Sequence, residues 1–109
     1  MIVAIAVDGT EVTEHFGHCS AYLIFKIEEN KVVDQTLQMS PGHVPGYLPE
    51  FLSDLGVGTI ITGGLGIKAK KMLEERGITV VTGATGEAAD VIVKYLDGTL
   101  VTENNSCDH

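Results

Sequence analysis

Ile2-Val3-Ala4-Ile5-Ala6-Val7 is an unbroken apolar run closed by Asp8-Gly9. It restricts the fold more than any other segment. A strand with no polar face must be covered on both sides, so the sheet that contains it needs layers above and below. Ala21 to Ile27 and Val32 to Met39 are further strand candidates, joined by Glu28-Glu29-Asn30-Lys31. That connection is short enough for an antiparallel hairpin. The second of the two alternates Val33, Gln35, Leu37 and Met39 with Asp34, Thr36 and Gln38, as a half-exposed strand near a sheet edge does.

After Ser40-Pro41-Gly42-His43-Val44-Pro45-Gly46 the period changes from two to about 3.6. Leu48, Phe51, Leu52 and Leu55 mark a helix with Pro49 in its first turn and Gly56 past its end. Val57 to Thr62 reads as a strand. Leu65, Ala69, Met72 and Leu73 line a second helix that stops at Gly77, and Ile78 to Val81 is the next strand. A third helix runs from about Thr85, a candidate N-cap, to Leu96, with Ala88, Val91, Ile92 and Tyr95 inward. The order is β-β-β-α-β-α-β-α, an α/β chain with a mixed five-stranded sheet. The first, fourth and fifth strands are expected to be parallel, because helices connect them. The second is expected to run against its neighbours. The loops 9–19, 40–47, 63–66 and 82–86 then share one sheet edge, the edge where open α/β sheets take their ligands.

The 109 residues suit one domain, burying roughly 60–70% of the unfolded surface without disulfides. Seven Lys and Arg against fifteen Asp and Glu give a net charge of −8, which repels nucleic-acid phosphate and anionic membranes. No apolar run approaches the ~18 residues of a membrane span. The first strand begins without a basic leader, so no signal peptide is expected. Two cysteines point to a reducing cytoplasm, where thiols ligate or react more often than they crosslink.

The chain has only four histidines and two cysteines, yet His15-Phe16-Gly17-His18-Cys19 holds three of them in one loop. His43 lies in a second loop of the same edge, and Cys107-Asp108-His109 closes the chain. The third helix returns the chain about 15 Å to the far edge. The tail beyond Gly98 can stretch roughly 36 Å, so Cys107 and His109 can rejoin the others. Thiolate and imidazole suit iron–sulfur clusters, zinc and copper better than calcium or magnesium. His15, His18, Cys19, His43, Cys107 and His109 are therefore the candidate metal ligands. Each has a plainer alternative: His15 bonding the loop, only one of the adjacent His18 and Cys19 facing the site, Cys19 as a small buried apolar residue or half of a Cys19–Cys107 disulfide, His43 in solvent, and a loose tail. The spacings His15-x-x-His18 and Cys107-x-His109 fall outside those of common zinc fingers, so zinc is the alternative metal.

Gly64-Leu65-Gly66-Ile67-Lys68-Ala69 formally fits a dinucleotide fingerprint, but the next strand ends in Val81-Thr82 with no acidic residue for a ribose. It reads instead as a tight turn whose helix N-terminus offers N–H groups to an anion. Asp8 alone does not make a two-metal nuclease, since the fourth strand ends Thr62-Gly63-Gly64 without a carboxylate.

The opening strand, the His15-Phe16-Gly17 loop, the Gly63-Gly64-Leu65-Gly66 turn, the Gly77-Ile78-Thr79-Val80-Val81 strand and the terminal Cys-x-His together resemble the dinitrogenase iron–molybdenum cofactor biosynthesis family. The resemblance implies a ribonuclease-H-like three-layer fold with helices on both faces of the sheet. It further implies a non-catalytic accessory role in binding iron–sulfur clusters or iron–molybdenum cofactor precursors, with metallocluster donor and acceptor proteins as partners. His15, Phe16 and Gly17 correspond to that family's first loop, and Gly63, Gly64 and Gly66 complete the expected cofactor-binding set. His18, Cys19, Cys107 and His109 correspond to a cysteine- and histidine-bearing variant. On this reading residues 1–98 form the cofactor-binding domain and 99–109 a flexible tail carrying Cys107 and His109. A few donors on an exposed edge also suit a homodimer. A metal-free module for small anions or proteins, built on the Gly64–Gly66 turn, is the remaining alternative.

Overall fold

The computed structural model describes residues 1–16, 19–41 and 47–102. Its elements run β1 (Ile2–Asp8), β2 (Glu11–Val12), β3 (Ala21–Glu28), β4 (Lys31–Met39), α1 (Tyr47–Asp54), β5 (Thr59–Ile61), α2 (Ile67–Glu75), β6 (Thr79–Val81) and α3 (Ala88–Asp97). The main sheet has the order β4-β3-β1-β5-β6, with β2 paired to β1. β1 is parallel to β5 and β5 to β6, whereas β3 is antiparallel to both β1 and β4. This is the mixed α/β arrangement expected from the connections.

The expected five strands become six, so the order is β-β-β-β-α-β-α-β-α. The additional strand is the two-residue β2, folded onto β1 through Gly9-Thr10 so that Val7 faces Val12 and Asp8 faces Glu11. Two residues are too few to show a period. The hairpin also resets the start of α3. Thr10 carbonyl accepts the Ala88 N–H at 2.9 Å, and Gly86 carbonyl accepts the Val12 N–H at 2.9 Å. Glu87, without a side-chain cap bond, therefore holds the N-cap position instead of Thr85. Leu65 likewise precedes its helix, because Gly66 is extended and α2 starts at Ile67. Gly56, Gly77 and Gly98 close the three helices with φ of 78°, 76° and 80°, the left-handed conformation that glycine adopts without a Cβ penalty.

The continuous apolar run divides by parity, as strand geometry requires. Val3, Ile5 and Val7 pack with Ala88, Val91 and Ile92 of α3 on one face. Ala4 and Ala6 lie under Leu52 of α1 and Leu73 of α2 on the other. Helices thus cover both faces, with small residues on the face that carries two of them. Burying a leucine-sized side chain stabilises by about 1.5–3 kcal/mol, so the wholly buried Leu52, Leu73, Ile60 and Ile61 anchor the layers. β4 differs from expectation, being exposed along nearly its whole length instead of by halves. Among the described residues, no helix is long and apolar enough to cross a membrane.

Candidate functional site

The C-terminal ends of β1, β4, β5 and β6 and the start of β3 meet at one rim, as the parallel and antiparallel pairings dictate. A backbone ladder stitches this rim together. Gly63 N–H donates to Thr13 carbonyl at 2.9 Å, Gly64 N–H to Glu14 carbonyl at 2.6 Å, and Phe16 N–H to Gly64 carbonyl at 3.0 Å. On its other side, Gly83 N–H donates to Gly63 carbonyl at 2.6 Å. His15 therefore sits in a short parallel bridge with Gly64, beyond the end of β5. The approach is so close that a Cβ on Gly63 would lie 2.6 Å from Thr13 carbonyl oxygen. Glycine at that position is what admits the loop.

Side chains fix the loop from within. The Thr13 hydroxyl, 2% exposed, donates to Asp8 Oδ2 at 2.8 Å and accepts the His15 N–H at 3.4 Å. Asp8 Oδ1 accepts the Ser20 N–H at 3.1 Å, and the Ser20 hydroxyl donates to Val7 carbonyl at 3.1 Å. Asp8, set aside above as a nuclease carboxylate, thus holds Thr13 and Ser20, on either side of His15 in the chain, to the end of β1. Thr13 and Ser20 were not singled out by sequence reasoning. A polar residue between Val12 and the charged Glu14 carries no periodic signal for burial.

The loop separates two kinds of candidate. His15 is exposed on the rim. Phe16 turns inward, 3% exposed, with its ring 6.0 Å from that of Tyr22. Tyr22 continues to Phe51 at 6.1 Å, and Phe51 to Tyr47 at 6.0 Å. Cys19 is a free thiol buried in the same cluster, under α1 and α2. Burial, reinforced by the charge of Asp8, raises its pKa above the usual 9.0, against the opposing contact with Tyr22. The Tyr22 hydroxyl is itself buried beside that thiol and, among the described residues, makes no hydrogen bond of ordinary geometry. Burial pushes its ionisation well above the usual tyrosine value. Gly17, His18, His43, Cys107 and His109 lie outside the described residues. Among the described residues, no three His, Cys, Asp or Glu side chains gather to hold a metal ion.

The glycine turn is likewise divided. Gly63 and Gly64 spend their N–H groups on the Thr13–Glu14 loop. Gly66 is the N-cap of α2, which has neither a side-chain cap bond nor an acidic residue in its first turn. The N–H groups of that turn have no partner within the helix, and exposed Lys68, Lys70 and Lys71 follow, with exposed Glu14 opposite Gly64.

A sequence model of a family described as "Dinitrogenase iron-molybdenum cofactor" matches residues 1–98. The crystal structure of PH0822 superposes with a TM-score of 0.91 at 32% identity, covering 95% of this chain and 96% of that one. The uncharacterized protein MJ0580 of Methanocaldococcus jannaschii is 26% identical over 105 residues, 92% of this chain and 89% of its own length. The apo form of the orange protein of Desulfovibrio gigas shares the fold at a TM-score of 0.78 and 20% identity, covering 95% and 93% of the two chains.

Proposed function

Because this chain belongs to the dinitrogenase iron–molybdenum cofactor family, we propose that it binds an iron–sulfur or iron–molybdenum type cluster as cargo, for assembly or transfer, without catalysing a reaction. The observation that carries the reading is the exposed His15, held on a backbone ladder beside the uncapped start of α2. An imidazole is a cluster ligand, and a helix N-terminus favours the negative charge of a sulfide-rich cluster. A carrier must also release what it holds. One or a few rim donors serve that better than a closed four-ligand cage.

In this reading residues 1–98 are the cluster-binding domain, of ribonuclease-H-like type, and the tail carries Cys107 and His109 to the rim. His18 and His43 are the further imidazole donors. Cys19 is a second-stage ligand at most. Its buried thiol must lose a proton that its surroundings retain, so binding there requires the 16–22 packing to open. The partners are proteins that deliver and accept the cluster in a reducing cytoplasm.

Anaerobic reconstitution of the full chain with iron and sulfide, or with molybdate and sulfide, tests the proposal. It is expected to give sulfur-to-metal charge-transfer absorption that His15→Ala weakens, in a variant whose far-UV circular dichroism shows it still folded. Colourless protein with no bound metal by elemental analysis would refute it. Stoichiometric zinc in freshly purified protein would favour the single-metal alternative.

A further inference from the structure

Among the described residues, β4 is a sheet edge, bonded on one side only. Ser40 N–H donates to Ser20 carbonyl at 3.1 Å, which makes residues 20 and 40 a hydrogen-bonded pair of the antiparallel ladder. By alternation Tyr22/Gln38 and Ile24/Thr36 are bonded pairs. Gln35, Leu37 and Met39 then direct their N–H and C=O groups away from β3. The Gln35 N–H is taken by its neighbour Asp34, whose Oδ1 accepts it at 2.9 Å. Leu37 and Met39 carry no such guard among the described residues, and their side chains are 57% and 62% exposed. They stand opposite Leu23 and Ala21, on the α3 face of the sheet. An unguarded apolar edge of this kind is a template for another strand.

We propose that β4 pairs antiparallel with β4 of a second copy of this chain, about a two-fold axis through Leu37. The strand's own irregularities select that register. The register shift of the β3–β4 ladder between Lys26 and Ile27 leaves Val33 as the extra residue of β4, so registers centred on Gln35 or Thr36 would pair it with Leu37 or Met39. A centre at Gln38 would leave Gln35 unpaired. The Leu37 centre bonds Leu37 with Leu37 of the second copy in both directions and brings each Met39 N–H to the Gln35 carbonyl of the other copy, the Gln35 N–H staying with Asp34. Pro41, lacking an N–H, ends the ladder.

The faces match as well. Leu37 meets its equivalent on the α3 side, flanked by Met39 against Gln35, while Thr36 meets Gln38 on the other side. Asp34 falls opposite Ser40, so no like charges oppose each other although each chain carries −8. Residues 35–39 span roughly 17 Å. An interface one strand wide buries on the order of 800 Å² from two copies, below the ~1,200 Å² of stable complexes. The dimer is therefore weak and reversible. It forms one continuous sheet with the two His15 rims at opposite edges, so each copy keeps its own site.

Sedimentation velocity of the full chain, from micromolar to millimolar concentration and at low and high salt, provides the test. A monomer–dimer equilibrium is expected with Kd of roughly 10–1,000 µM, tighter at high salt as the like net charges are screened. Leu37→Lys, which places two lysines face to face, should raise Kd at least about tenfold without changing the melting temperature. Met39→Lys is the second variant should the first fold poorly. Asp34→Ala should tighten association. A chain that stays monomeric at millimolar concentration in high salt, or a dimer indifferent to both lysine substitutions, would overturn the proposal. Neither result bears on metal binding at His15.

Discussion

Tyr22→Phe is expected to make the protein more stable. The Tyr22 hydroxyl is fully buried and, among the described residues, lacks a partner of ordinary geometry, and leaving such a group unmet costs about 1–3 kcal/mol. Phenylalanine keeps the ring contacts with Phe16 and Phe51. It leaves a void the size of one oxygen, on the order of 10 Å³, which at ~24 cal/mol per Å³ costs about 0.2 kcal/mol. The weak contact with the Cys19 thiol offsets part of the remainder. A net gain of about 1 kcal/mol should appear as a rise in Tm of about 4–8 °C for a domain of this size. Thermal and urea unfolding of the wild type, Tyr22→Phe and Tyr47→Phe would measure it, the last being a partly exposed control expected to change little. Repeating the substitution on a Cys19→Ala background isolates the thiol's contribution through the coupling between the two sites. A Tyr22→Phe protein that melts at or below the wild-type temperature would mean that the hydroxyl has a partner, and the reasoning would fail.

Stability should fall with alkaline pH more steeply than in Cys19→Ala. The folded thiol holds its proton above the usual 9.0 because of burial, while the unfolded thiol ionises at about that value. The contribution is therefore complete below pH 9.0 and is lost as pH rises from there towards the folded value; equal slopes in urea midpoints across that range would refute it. Gly63→Ala should cost at least about 2 kcal/mol and abolish cluster uptake, because its Cβ meets the Thr13 carbonyl. Gly66→Ala meets nothing within 4 Å, so uptake should persist. Thr13→Val removes the hydroxyl shared by Asp8 and His15 and should cost about 1–2 kcal/mol by chemical denaturation, with faster amide exchange at His15.

Much of the architecture is legible in the sequence because periodicity reports it directly. Whereas the alternation in 32–39 overstates the burial of β4, the unbroken run 2–7 and the change of period after residue 46 report the layers, and the hairpin and helical connections report the strand directions. Those in turn place the rim loops together. What escapes is set by tertiary backbone contact. β2 is too short to show a pattern, and the Thr10 carbonyl in the turn before it moves the start of α3 from Thr85 to Ala88. The Gly63–Thr13 crossing depends on two loops far apart in the chain. Residues 15 to 19 look like one ligand cluster in sequence. In space the loop turns Phe16 and Cys19 into the α1–α2 core and leaves His15 outside, a division that residue type alone does not encode.

The bridge between residues 15 and 64 is made by main-chain atoms, so the position of whatever side chain stands at 15 is set independently of its chemistry. That residue is a socket. Cysteine, aspartate or methionine there would keep the main-chain bridge, so under the proposed cluster-binding role a common frame is retuned from one inorganic passenger to another by a single codon.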